Sequence, residues 1–150
     1  MTENMNPENV NPENTNAENT NPENTNPENT NPDNRNREAV VRWVEAYRGA
    51  WESNEPSDIR ALFAEGAEYF TVPWEEPWRG HEGIVDGWLE SRDEPGDTTF
   101  DWELVAVDGN TAVLRAVTVY TAERTYYNIW VIRFAADGRA EEFTEWYMRR

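Results

Sequence analysis

The carboxylates Glu141, Glu142 and Glu145 crowd a short stretch that also carries Thr144 and Trp146. A carboxylate partly buried by aromatic groups has its pKa raised toward neutrality, which suits it to act as general base or acid. Alternation along an extended chain puts Glu142, Thr144 and Trp146 on one face and Glu141, Phe143, Glu145 and Tyr147 on the other. In the segment before it, Asn128, Trp130 and Ile132 share a face. With Asn128 and Trp130 turned toward helices, Glu142 is the expected pocket carboxylate and Glu145 the alternative. Arg115 can pair with one of these acids, either activating a site or neutralising it. The same residues also fit a cross-strand ladder of salt bridges with no chemistry.

Tyr47, Trp51, Phe63, Tyr69, Trp74, Trp88, Trp130 and Trp146 exceed what a core of this size holds, so some of them are expected to line a cavity. Tyr47 and Asn128 are candidate hydrogen-bond donors, and a tyrosine O–H stabilises a developing enolate. His81, the one histidine, is expected at the solvent-exposed start of a helix. With no second histidine and no cysteine, a transition-metal site is not expected. Glu75 and Glu76 read as solvated loop acids. No phosphate-binding loop, dinucleotide fingerprint or Gly-x-Ser-x-Gly elbow is present, and the series Gly80, Gly83, Gly87 matches none of them. No cofactor is implied.

Composition narrows the partners. The net charge is −17, and all 13 cationic residues are arginine, so no lysine is available for Schiff-base chemistry. Residues 1–36 hold seven acids and one arginine, and the remainder holds 23 acids and 12 arginines. Two acidic parts disfavour nucleic acid, which needs a basic face, and disfavour anionic membranes for the same reason. The first residues lack a basic region followed by an apolar run, so no signal peptide is expected. No stretch approaches the ~20 apolar residues of a membrane span. A soluble cytoplasmic protein is the expectation.

From Asn4 to Glu38 the chain repeats every five residues as Asn-x-Asn-Pro-Glu, drifting to Asn-Arg-Asn-Arg-Glu at the end. A β-solenoid needs an apolar residue in each unit, but the variable slot holds Met5, Val10 and then threonines. With nothing to bury, ordering entropy wins, and a disordered tail over residues 1–36 is expected. All eight Trp, six Tyr and five Phe follow residue 40, which assigns residues 37–150 to one folded domain.

The elements that must position the chemistry follow from periodicity. Val40, Val44, Tyr47 and Trp51 carry helical spacing over residues 37–53. A second helix opens near Pro56, turns Ile59, Leu62 and Phe63 inward and ends at Gly66, before a strand over Ala67–Val72. Pro73–Gly80 reads as a loop, then a short helix covers about residues 81–91 with Ile84 and Trp88 one turn apart. Four strands follow: Thr98–Val107, Thr111–Thr121, Arg124–Ala135 and Arg139–Met148. Asp108-Gly-Asn110 and Asp137-Gly138 mark hairpins between them. Helices segregated to one side of a mostly antiparallel sheet define the α+β class.

This order, with Ala61-Leu-Phe-Ala-Glu-Gly-Ala67, Trp78-Arg-Gly-His-Glu-Gly-Ile84 and Asp137-Gly-Arg-Ala-Glu-Glu-Phe-Thr-Glu-Trp146, resembles the NTF2-like superfamily, and within it the small bacterial SnoaL-like proteins. The resemblance covers residues 38–148. It implies a curved sheet wrapped around three helices into a cone, a pocket at the wide end, and a homodimer through the sheet. Members include ketosteroid isomerases, polyketide cyclases, scytalone dehydratases and limonene epoxide hydrolases beside many without catalysis, so fold alone assigns no reaction. The isomerase base falls at Val72 or Thr71 here, which argues against steroid isomerisation. Two functions stay open. One is a cofactor-free acid–base enzyme on a small apolar molecule, with Glu142 or Glu145 as base. The other is a non-catalytic ligand-binding or dimerisation domain using the same cavity.

Overall fold

A computed structural model describes residues 31–121 and 124–150, and the expectation of disorder for residues 1–30 lies outside them. The first helix, α1 (Pro32–Ser53), begins inside the last repeat units rather than after them. Asn31 caps it by accepting from the Asp33 amide at 3.1 Å, and Pro32 occupies the first turn, where no amide donor is needed. Val40, Trp43, Val44, Tyr47 and Ala50 form its buried stripe. Asn54 ends it in the left-handed conformation (φ 52°) and returns its amide to the Ala50 carbonyl.

Helix α2 (Pro56–Leu62) stops sooner than the sequence implies, and the chain enters strand β1 (Phe63–Phe70) at Phe63. Two contacts explain the early switch. The Trp43 indole donates to the Leu62 carbonyl at 2.9 Å, and Phe63, fully buried, pairs with the last strand at Ala140. Gly66, expected as the helix stop, instead lies where the pairing register of β1 shifts between Phe63 and Glu68. The loop expected over Pro73–Gly80 contains a two-residue strand, β2 (Trp78–Arg79), whose Arg79 meets Glu68 at 3.1 Å.

Helix α3 (Gly80–Glu90) and the strands β3 (Thr98–Asp108), β4 (Thr111–Tyr120), β5 (Arg124–Phe134) and β6 (Ala140–Arg149) complete the chain. Glycines 109 and 138 supply the positive φ of the two hairpin turns. The sheet order is β2-β1-β6-β5-β4-β3, with only β1 and β6 parallel among the described strands. Among the described residues the result is three helices on a six-stranded, mostly antiparallel sheet. No helix among the described residues is long and apolar enough to cross a membrane.

One helix face meets one sheet face. Val44, Ile59 and Ile84 of the helices share a core with Phe63, Leu114, Ile132 and Phe143 of the sheet, all essentially without exposure. Gly87 of α3 lies against the Trp78 indole so closely that a Cβ would fall within the ring. Gly87→Ala is therefore expected to lower stability by ~1–3 kcal/mol as an overpacking change, read as a reduced denaturation midpoint in urea. An unchanged midpoint would show that Trp78 moves aside without cost.

Candidate functional site

Inward-facing residues of β4 and β5 change from apolar to polar toward one end of the sheet. On β4 the buried row Ala112, Leu114, Ala116 ends in Thr118, and on β5 Ile132 and Trp130 are followed by Asn128. Thr118 Oγ1 donates to Asn128 Oδ1 at 3.0 Å, which fixes the amide so that Nδ2 donates to Glu145 Oε1 at 2.6 Å. The Trp130 indole N–H also reaches Glu145 Oε1, at 3.4 Å. Glu145 Oε2 takes no hydrogen bond from the described residues, and the carboxyl borders a cavity of about 550 Å³. That volume falls in the range of small-molecule sites, ~300–1,000 Å³.

Across the cavity lie Tyr47 of α1 and Tyr69 of β1, whose hydroxyls are 2.7 Å apart. One phenol gives its proton to that contact, and the other keeps an O–H for a further acceptor. Tyr47 is held between Trp88 and Trp130, with ring centroids 4.9 and 4.7 Å away. Tyr69 stacks on Trp78 at 4.8 Å and on Phe143 at 4.5 Å. Burial raises both phenols well above the ordinary tyrosine value. Their mutual charges add to this at Tyr47, and the Glu145 charge adds to it at both. Both therefore stay protonated at neutral pH and remain donors.

Burial also raises the Glu145 carboxyl; the Trp130 and Asn128 hydrogen bonds oppose that shift, and the Asp93 charge reinforces it. The folded chain thus holds this proton above the pH at which the unfolded chain releases it. The stability it contributes is complete below the unfolded glutamate value of ~4.3 and is lost as pH rises through the folded value. Glu145→Gln removes that loss while keeping an acceptor oxygen for Asn128. Its melting temperature should gain on the wild type as pH rises through this window, in thermal scans at successive pH values. A pH-independent difference would contradict the buried carboxyl.

Asp93, in the α3–β3 connection, borders the same cavity and accepts from the Trp51 indole at 3.0 Å and the Tyr120 hydroxyl at 3.2 Å, both on Oδ2. Asn54, the left-handed cap of α1, accepts from Trp88 at 3.2 Å. The residue that ends α1 thus braces a tryptophan of the cavity wall.

The structure brings together Tyr47, Trp51, Tyr69, Trp88, Asn128, Trp130 and Glu145 around this cavity. The other sequence candidates lie elsewhere. Glu142 points outward and meets Arg133 at 3.4 Å, because Phe143 and Glu145, not Glu142, pair opposite Ile132 and Trp130. Trp146 is half exposed on that outer face, and Arg115, also outward, is ion-paired with Glu103 rather than with an acid of β6. Trp74 is 77% exposed in the β1–β2 connection. Phe63 packs edge-on to Trp43 and Tyr69 in the core and is not a cavity wall. His81 is not free at its helix start: Nε2–H donates to the Phe63 carbonyl at 2.8 Å. Sequence reasoning missed Asp93, Thr118, Tyr120 and Trp78. Thr118 and Tyr120 carry a signal, since they extend the inward alternation of Ala112, Leu114 and Ala116.

The family model described as SnoaL-like domain matches residues 40–143. The chain belongs to the SnoaL-like family. This SnoaL-like chain shares its fold with an NTF-2 like protein of unknown function from Burkholderia xenovorans LB400 at a TM-score of 0.60 and 14% identity, covering 75% of this chain and 84% of that one. An NTF2-like protein of unknown function from Mesorhizobium loti aligns with a TM-score of 0.59 at 22% identity over 79% of this chain and 97% of that one. An LEH-like epoxide hydrolase from M. tuberculosis aligns with a TM-score of 0.52 at 16% identity over 73% and 83%. None of the curated proteins compared matches. At these identities the solved structures establish the NTF2-like fold of the SnoaL-like domain and no reaction.

Proposed function

We propose that this SnoaL-like domain performs cofactor-free acid–base chemistry on a small molecule with a flat apolar body. Glu145 carboxylate removes a proton from carbon, and the electron pair moves to an electronegative atom. The free O–H of the Tyr47–Tyr69 pair stabilises the charge that develops there. Protonated Glu145 then returns the proton at a second position or to a leaving group. Asn128 and Thr118 orient the carboxyl, and the indoles of Trp88 and Trp130 exclude water. The observation that carries this reading is a half-buried carboxyl, with Oε2 accepting from no described residue, on an aromatic cavity that the hydrogen-bonded Tyr47–Tyr69 pair also lines. The epoxide hydrolase among the similar structures is consistent with such a pocket.

The test uses 5-nitrobenzisoxazole, whose ring opens when a base takes its C3 proton: the C–H pair forms the nitrile, and the N–O bond breaks to a coloured phenolate. Saturable opening faster than with equal acetate supports the reading. A rate no faster than acetate leaves a ligand-binding domain without proton transfer.

The outer sheet face is a second functional surface in this proposal. It carries a groove of about 1280 Å³ bordered by Trp74, Val117, Ile129, Val131, Trp146 and Met148. Trp146 and Met148 are 51% and 69% exposed, which is costly apolar surface for an isolated chain. A second copy of the chain covering this face as a homodimer explains it.

A further inference from the structure

We infer that the mouth of the cavity is an anion subsite formed by Arg92 and Arg124, so that the substrates are small organic acids with a planar aromatic body. This rests on the proposed function for the site but concerns binding, not proton transfer. The two arginines reach the cavity from adjoining segments: Arg92 from the connection after α3, Arg124 from the start of β5. Both are exposed, whereas Asn128 and Trp130 beside Glu145 are buried. The cavity therefore has a cationic mouth and a carboxyl floor.

What singles out these two is that they are the arginines of the cavity lining and are not committed to a carboxylate. In a chain of 30 acids and 13 arginines, Arg48, Arg79, Arg115, Arg133 and Arg139 are each tied to a carboxylate. Arg92 and Arg124 take part in no ion pair with the described residues. Asp93, which borders the same cavity, takes the Trp51 and Tyr120 donors on Oδ2 and no guanidinium. Arg124 is held over the Tyr120 ring at 4.9 Å from its centroid, which directs a guanidinium at the opening without neutralising it. Guanidinium groups free of carboxylates recognise carboxylate or phosphate through paired N–H donors. The two acids that border the cavity do not reverse this preference. Asp93 directs Oδ2 to Trp51 and Tyr120 rather than to either arginine, and the Glu145 carboxyl is held by Asn128 and Trp130. Trp51, Trp88 and Trp130 line the same cavity and supply aromatic surface for a flat body.

Titration calorimetry of the full chain with 2-naphthoate, 2-naphthalenemethanol and 2-naphthylmethylammonium tests the subsite. Naphthoate should bind at least ~10-fold more tightly than the alcohol, the worth of one charge-assisted hydrogen bond, and the ammonium more weakly than either. The double variant Arg92→Gln, Arg124→Gln should bind naphthoate and alcohol alike, with its circular dichroism unchanged because both positions are exposed. Equal binding of acid and alcohol by the wild type, a preference for the ammonium, no heat with naphthoate, or an unaltered preference in the double variant would each overturn the inference. Naphthoate selectivity without 5-nitrobenzisoxazole opening would refute the acid–base reading and leave the subsite intact; opening without selectivity would do the reverse.

Discussion

Glu145→Gln should slow the ring opening of 5-nitrobenzisoxazole by ~10²–10⁴, the span expected when a positioned general base is removed. Glutamine keeps the acceptor oxygen that Asn128 and Trp130 bond, so the pocket retains its shape while losing the only proton acceptor at its buried end among the described residues. Naphthoate binding retained in the same variant shows that the pocket is intact, since Arg92 and Arg124 are untouched. Glu142→Gln, on the opposite face beside Arg133, is the control and should leave the rate within about twofold, as for an ordinary surface change of ~0.5 kcal/mol or less. Equal losses in both variants would point to net charge rather than to a base. Loss in Glu142→Gln alone would place the chemistry on the outer face and refute the assignment.

Trp146→Glu should convert a homodimer to single chains. The side chain pairs across from Ile129 on the outer face and is half exposed within one chain, so the substitution costs the fold little. At the centre of an interface a buried tryptophan is worth ~2 kcal/mol or more, which is about 30-fold in dimer affinity. The introduced carboxylate would in addition face its own symmetry mate in a two-fold interface. Light scattering coupled to gel filtration checks this at micromolar protein. A wild-type chain that elutes with a single-chain mass, or a variant that stays paired, would contradict the outer-face dimer.

The helical stripe of α1, the hairpin turns and the four long strands are readable from spacing and glycine placement, because local periodicity dictates them. The β6 face that meets the cavity is not. Alternation within β5 and within β6 gives two sets of faces, and only the register between strands says which set joins which. That register shifts between Arg133 and Phe134, so that Ala140 and Phe143, three residues apart, are both buried. Phe143 carries the missing signal: an apolar residue between Glu142 and Thr144 belongs inside, and Glu145 follows it there. Phe63 fits an inward helical position equally well, and only its pairing with Ala140 makes it a strand. Asp93 sits in a charged, glycine- and proline-containing connection where nothing local marks it. Its role follows from Trp51 and Tyr120, 42 and 27 residues distant in the chain.

The pH dependence of 5-nitrobenzisoxazole opening bears most directly on Glu145 as the proton acceptor of this cavity. For the wild type the rate should rise with pH to a plateau, with its midpoint above the ~4.3 of a free glutamate, because burial disfavours the charged form. The same profile in Glu145→Gln should be flat at the low residual rate. A wild-type midpoint at the ordinary carboxylate value, or an identical profile in the glutamine variant, would contradict the assignment.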